Sequence, residues 1–460
     1  MRPTRPQRAK ARQHGAALIV MLVIVVMGAA AALVGSLSTT ALKSARQETT
    51  AAALAQAKDA LIGYAITYGD TYSGEVHGYL PCPDTGGSAE GSAAPPCGNK
   101  NVSRIGRLPW KTLGLSALRD GDGECLWYAV SGTYKNNPKT DLMNWDTLGL
   151  FEALDASGTT VAQDVVAVIF APGSVLGSQN RAPDGTAPIC GGNYTATNYL
   201  DSDGTLNNGT VSASANATTQ FRLTSSSQIN DRLIYITRQD LWNAMLKRND
   251  FMTILATMTQ KAAECIADYG RRNSGGLGDK RLPWSGRLYP DSSGYLTDVN
   301  YDDEDGRMAG RLPYRVNTSD SNTSNQISSP YYQLASGSSC LGGSTWTTYY
   351  PWWTNWKDHL YYALAYNFRP NSGSTACGTC LRVNGSGNYA AVVMFAGKPL
   401  AGQTRTTGSD HLDLNNYLEG RNYTNGSNSS GNSNYQSGAE TGSFNDVLYC
   451  INPDLSVTPC

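Results

Sequence analysis

A long internal repeat constrains this chain more than any other feature. The first copy runs through LPCPD at 80–84, GRLPW at 106–110, CLWYAVSGTY at 125–134, VVAVIFAPGSVLGSQNR at 165–181, NYLD at 198–201 and INDRLIYI at 229–236. The second keeps the order with RLPW at 281–284, GRLPY at 310–314, HLYYALAYNF at 359–368, AAVVMFAGKPLAGQTR at 390–405, NYLEG at 416–420 and FNDVLYCI at 444–451. Two copies are too few for a solenoid, so the pattern predicts duplicated units. Each copy opens on a helical apolar face. In the first, Leu54, Ala57, Leu61, Ala65 and Tyr68 recur at spacings of three and four; in the second, Phe251, Leu255, Met258, Ala262, Ile266 and Tyr269 do so. A helix over 238–272 is expected to join the copies. VVAVIF and AAVVMF are apolar enough for central strands. Helices do not alternate with the strands, so the expectation is α+β, each unit a helix packed on an antiparallel sheet. The Asn/Ser/Gly-rich stretches 201–220 and 421–443 read as exposed, mobile loops.

Ahead of the first copy stands a basic leader, with Arg2, Arg5, Arg8, Lys10 and Arg12 and no acid, ended by Gly15. From Ala16 to Leu42 there is no Asp, Glu, Lys or Arg. That run is long enough to span a bilayer, and the basic flank would keep the N-terminus cytoplasmic. No proline occurs between Ala16 and Tyr68, so one continuous helix of about 80 Å is expected at 1.5 Å per residue. The expected organisation is a leader at 1–15, a transmembrane helix at 16–42, a first lobe at 43–237 and a second at 238–460.

Leader, glycine and apolar run in this order resemble the type IV filament prepilins, which include pilins and the pseudopilins of type II secretion. The LPCPD, GRLPW and LWYA elements also resemble those of certain large prepilin-type proteins. The resemblance implies two pilin-like lobes behind the long helix. It implies cleavage between Gly15 and Ala16 by a prepilin peptidase, with methylation of the new N-terminus. It further implies single-pass residence in the inner membrane, with the bulk periplasmic or extracellular, and later incorporation among other pilin or pseudopilin subunits. The family usually carries Glu at the fifth mature position, where this chain has Val20. In the family that carboxylate helps dock an incoming subunit; a subunit without one resembles the tip-type minor members. The implied role is a non-enzymatic minor pilin or pseudopilin at or near the filament tip. A membrane-anchored adhesin gripping a surface glycan or protein is the alternative, and an anchored hydrolase a third. An ordinary signal-anchored protein would share the apolar run without the filament role.

Charge sets the partner class. The full chain holds 36 basic and 37 acidic residues. Without the five leader cations it is acidic, which implies no nucleic-acid surface. Ten cysteines, all downstream of the apolar run, read as disulfides of an oxidising compartment. Cys82–Cys97 and Cys450–Cys460 would close short loops, and Cys125–Cys190 is a further pairing. Cys377 and Cys380 form a lone CxxC, read as a tight structural disulfide rather than a redox or zinc element.

No motif for catalysis or phosphate binding is present, and no cofactor is expected. Asp120, Asp122 and Glu124, and Asp302, Asp303 and Asp305, lie in Gly-containing turns. Such turns either bind calcium, a hard cation that takes oxygen ligands, or are solvated acidic loops. Trp346, Trp352, Trp353 and Trp356 crowd one Pro-containing stretch; they either stack on a sugar or pack as a loop over the second lobe. Gln179 and Arg181 in one copy, and Gln403 and Arg405 in the other, follow glycine turns. They read as polar strand ends pinned by hydrogen bonds, or as a carboxylate-binding hook.

Overall fold

The computed structural model describes residues 14–223, 228–272, 280–288, 294–297, 300–317, 331–333, 344–370 and 372–460. Helix α1 (His14–Ile66) is unbroken over 53 residues, followed by a single turn, α2 (Tyr68–Thr71). Thr40 to Thr49 on α1 are exposed; from Thr50 the helix meets the protein body, with Leu54, Ala57, Leu61 and Ala65 buried on the face their spacing marks.

Six strands form the first sheet: β1 (Arg104–Arg107), β2 (Trp127–Val130), β3 (Phe151–Leu154), β4 (Thr160–Ala171), β5 (Thr219–Arg222) and β6 (Arg232–Thr237). Strand β4 has 12 residues and does two jobs. Its start pairs with β3, while its end pairs with β2 on one side and β6 on the other. The register slips where the duties change, beside Asp164, whose φ is +52°. A slip of this kind bends a strand and curls the sheet.

Helices α3 (Arg238–Leu246) and α4 (Phe251–Arg272) follow. They replace the single helix expected over 238–272. Arg248 sits in the break, paired at once with Asp70 and Asp250. In the second half come β7 (Ala309–Arg311), β8 (Arg315–Asn317), β9 (Tyr331–Gln333), α5 (Ser344–Trp356), β10 (Leu360–Leu364), β11 (Leu381–Val383), β12 (Ser386–Tyr389), β13 (Ala391–Phe395), α6 (Gly420–Asn425), β14 (Asn434–Tyr435), β15 (Val447–Ile451) and β16 (Val457–Pro459). The main second sheet has the order β16-β15-β13-β10-β7. The stretch 421–443 is not the open loop expected. It carries most of α6 and then β14, which pairs with β11, and it buries Asn422 and Tyr435.

The repeat is visible in the registers. Gly106 faces Tyr128 in the first sheet, and Gly310 faces Tyr362 in the second. Tyr128 Oη donates to Pro81 O at 3.2 Å, and Tyr362 Oη to Pro283 O at 3.1 Å. One apolar cluster nevertheless runs through both halves, from Leu54 on α1 through Tyr128 and Met258 to Val392 and Leu455.

Two expectations are corrected here. Among the described residues no helix is long and apolar enough to cross a membrane, so neither the transmembrane helix over 16–42 nor single-pass residence in the inner membrane is supported. Lys43, Arg46 and Glu48 interrupt the exposed stretch of α1, and beyond it the helix is committed to the sheet. The fold is α+β with curled sheet, α1 packed on the first sheet and α4 on the second around a shared core, and without the membrane helix expected ahead of them.

Disulfides join Cys82–Cys97, Cys125–Cys190, Cys377–Cys380 and Cys450–Cys460, and Cys265 is also disulfide-bonded.

Candidate functional site

Each half ends its central strand in the same polar device. Arg181 donates to Gly173 O at 2.7 Å, Asn198 O at 3.1 Å and Tyr199 O at 3.1 Å. Arg405 repeats this with Gly397 O at 3.0 Å and Asn416 O at 2.6 Å. Gln179 bonds Asp201 at 2.6 Å, and Gln403 bonds Glu419 at 2.9 Å. Each guanidinium lies over a tyrosine, Tyr199 or Tyr417. Behind each stands a buried carboxyl pair, Asp201 with Asp231 and Glu419 with Asp446. Burial, then the partner's charge, raises Asp231 and Asp446 well above the usual carboxylate range. Duplication of the whole device marks it as the pinning of a strand end.

The second device also takes in side chains from the first half. Asp146 from the first half reaches Arg405 Nη1 at 3.4 Å and His359 Nε2 at 3.0 Å in the second. Asp358 Oδ1 lies 2.9 Å from His359 Nδ1, and Tyr417 Oη donates to Asp358 Oδ2 at 3.3 Å. Asn144 of the same first-half loop donates to Asn355 O at 2.9 Å and Asp358 Oδ1 at 3.3 Å. Arg311 closes the floor with a bond to His411 O at 2.6 Å. Asp146, Asp358, His359, Arg311 and Arg405 are all buried.

Both imidazole nitrogens of His359 face carboxylates, so the ring carries both protons. Trp145 Nε1, 2.9 Å from the same Nε2, then lies against a donor and is a packing contact. Burial opposes charge on His359, but Asp358 and Asp146 outweigh it and raise its pKa. Burial pushes Asp358 up as well, yet His359 and His411 hold it well below the usual range. Asp146 is lowered because Arg405 and His359 outweigh its burial. Asp146, Asp358 and His359 present ligand atoms within 4.8 Å of one another, a spacing a metal ion could use. A cation there would displace the Arg405 and His359 contacts, which already balance the two carboxylates. The arrangement therefore works as an ion network between the halves.

Above this network lies a cleft of about 260 Å³, bounded by Asn101, Asp141 and Asp146 from the first half and Tyr295, Arg405 and His411 from the second. Tyr295 stacks on His411 with ring centroids 4.0 Å apart.

The residues singled out in the sequence are distributed elsewhere. Asp120 accepts the amides of Asp122, Glu124 and Gly173, while Asp122 pairs with Arg46 and Glu124 with Arg181. That is a capped turn whose carboxylates serve separate partners. Asp302 and Asp303 are half-buried and Asp305 exposed; Asp303 bridges Gly286 through its backbone, and Glu304 between them pairs with Arg307. Trp352, Trp353 and Trp356 are buried on α5, which corrects the reading of these rings as a sugar-stacking surface. Trp346 lies on the same helix, but its side chain is outside the described residues. Gly15 and Ala16 fall in the first turn of α1; their surroundings and residues 1–13 are likewise outside them.

Sequence reasoning missed Asp146, Asp358 and His359 as a group. The signal was the pair Asp358-His359 directly before the apolar LYYALA run, where the first copy has Glu124-Cys125. No family model, curated protein or solved structure matches this chain.

Proposed function

We propose that this chain is a non-enzymatic subunit of a type IV pilin-like filament, a minor pilin or pseudopilin standing at or near one end. The observation that carries the reading is the projecting part of α1. There Met21, Val25, Val26 and Met27 are 58–74% exposed, and Leu42 is 61% exposed. Apolar side chains along one helix, clear of the protein body, invite burial against other helices. Like subunits laid side by side supply such helices. The end position rests on Val20, which offers no carboxylate to a following subunit, and on the bulk of a doubled body, which regular helical packing accommodates poorly.

Processing at Gly15 tests the assignment. N-terminal sequencing with and without active prepilin peptidase should find Ala16 as the first residue only when the enzyme works, and Gly15→Phe should retain the leader. A mature protein that keeps residues 1–15 beside an active peptidase refutes it. Immunogold labelling of the second half separates end from shaft placement.

A further inference from the structure

We propose that strand β5 is an open sheet edge to which an extended, uncharged peptide segment of another protein adds as one further strand. Thr219 N and Leu223 N donate to Leu150 O and Leu154 O, both at 2.9 Å. Backbone groups alternate in direction along such a strand, so Gln220 and Arg222 turn theirs away from β3. At Arg222 that outer side is closed. Asn208 Oδ1 accepts from Arg222 N at 2.8 Å, and Asn208 Nδ2 donates to Arg222 O at 3.2 Å. At Gln220 it is open: among the described residues nothing meets its N–H or its C=O on that side. Thr218, directly before the strand, has no hydrogen-bond partner among the described residues either.

The internal repeat marks this opening as a departure. In the second half Gln436 takes the place of Arg222, held by Asn422 Oδ1 at 2.8 Å and Nδ2 at 2.9 Å. Both asparagines also donate to a buried carboxyl, Asn208 to Asp231 at 3.2 Å and Asn422 to Asp446 at 2.9 Å. Two residues before Gln436, Asn434 stands where the first half has Gln220, and its O accepts from Asn425 Nδ2 at 3.1 Å. Asn425 ends α6, the helix that carries Asn422 and lies against β14. After Asn208 the chain makes only a turn, and it places Val211 where α6 has Asn425. The first half thus keeps the strand and its outer asparagine and lacks the amide that covers the edge.

In its place lies a cleft of about 480 Å³, with Thr218 and Gln220 on the strand side and Leu206, Asn207, Thr210 and Val211 on the loop side. Among the described residues that line it none is charged. An open edge is a template for a further strand unless charge, proline or a covering element blocks it. The N–H and C=O groups of Thr218 and Gln220 are what an extended backbone complements group for group. A charged side chain would lose its hydration against such walls without gaining a partner, which selects an uncharged segment. The loop is tied to β5 at both ends, Asn208 to Arg222 and Ser212 N to Thr219 Oγ1 at 3.0 Å, so it forms a fixed rim. That rim admits a single chain and keeps out the edge of a second sheet. This site does not depend on the filament reading, since none of its residues lies on α1.

The test is amide hydrogen exchange of the full chain, resolved over residues 218–222, titrated with a pool of end-capped hexapeptides built from Ser, Thr, Val and Ala. The pool should slow exchange there in a saturable way. The same pool with every second backbone nitrogen methylated should not. Gln220→Pro removes the outward N–H and leaves the bonds to β3 in place, a substitution that sheet edges tolerate. It should keep the melting temperature and shift the titration by about tenfold or more, the value of one lost hydrogen bond. If that variant melts early, Thr218→Pro, ahead of the strand, replaces it with the same expected shift. No slowing by the pool overturns the proposal. So does equal slowing by the methylated pool, which means that side chains and not the edge are bound, and so does an unshifted titration in a folded proline variant. Protection that appears without peptide as the protein concentration rises also overturns it, since a second copy then takes the edge.

Discussion

Asp146→Asn is the most revealing single change in this molecule. The substitution keeps the shape and removes one negative charge from a buried set. Arg405 then loses its charged partner, and the His359 imidazolium is left with Asp358. Removing one partner of a buried ion pair leaves an uncompensated charge and costs ~3–5 kcal/mol. At ~2.1 cal/mol/K of unfolding entropy per residue, a chain of 460 residues loses roughly 1 °C of melting temperature per kcal/mol. The expected drop is thus only about 3–5 °C, so urea denaturation followed by tryptophan fluorescence is the better assay. Trp145 and Trp356 pack against His359 and report the seam directly. The midpoint should fall with the slope unchanged. A double-mutant cycle with His359→Gln should return a coupling energy of about 1 kcal/mol or more. If Asp146→Asn is neutral or stabilising, Asp146 does not balance the buried cations and the account of the seam fails.

Two pH effects follow from the same chemistry. His359 has a raised pKa, so its stabilisation is complete below the unfolded value of about 6.5 and is lost as pH rises through the folded value. Urea midpoints of the parent protein should decline toward alkaline pH, and His359→Gln should remove part of that decline. Asp231 is raised instead, so the folded state binds the extra proton and stability falls as pH climbs above about 3.9 toward the folded value. Asp231→Asn should flatten melting temperature against pH in that range; an unchanged profile would show that Asp231 titrates normally.

Local features were legible in the sequence because local physics set them. The apolar faces of α1 and α4 follow from spacing alone, and Cys82–Cys97 and Cys450–Cys460 from short loops. Gln179–Arg181 and Gln403–Arg405 could be read as pinned strand ends because the motif occurs twice. What was hidden depends on contacts distant in sequence. Arg405 and Asp146 are 259 residues apart, and no periodicity marks the pairing. The tryptophan run looked like a loop because of Pro351, yet it is helical, with Trp353 and Trp356 fully buried and Asn355 Nδ2 bonded to Pro351 O at 2.8 Å. Burial of those rings outweighs the cost of proline in a helix. At the break before α4, Arg248 pairs with Asp70, far back in the chain, a contact that left no local trace.

Cys125 and His359 occupy equivalent places, each one residue before the leucine that leads into a central strand. Cys125 is tied covalently to Cys190, while His359 is tied by charge to Asp146 and Asp358. The same place in the two halves thus carries ties that answer to different surroundings. A reductant loosens the first and leaves the second alone; a base loosens the second and leaves the first alone. One position of a repeated unit thus ties the first half within itself by a bond open to reductant, and ties the second half to the first by charge open to pH.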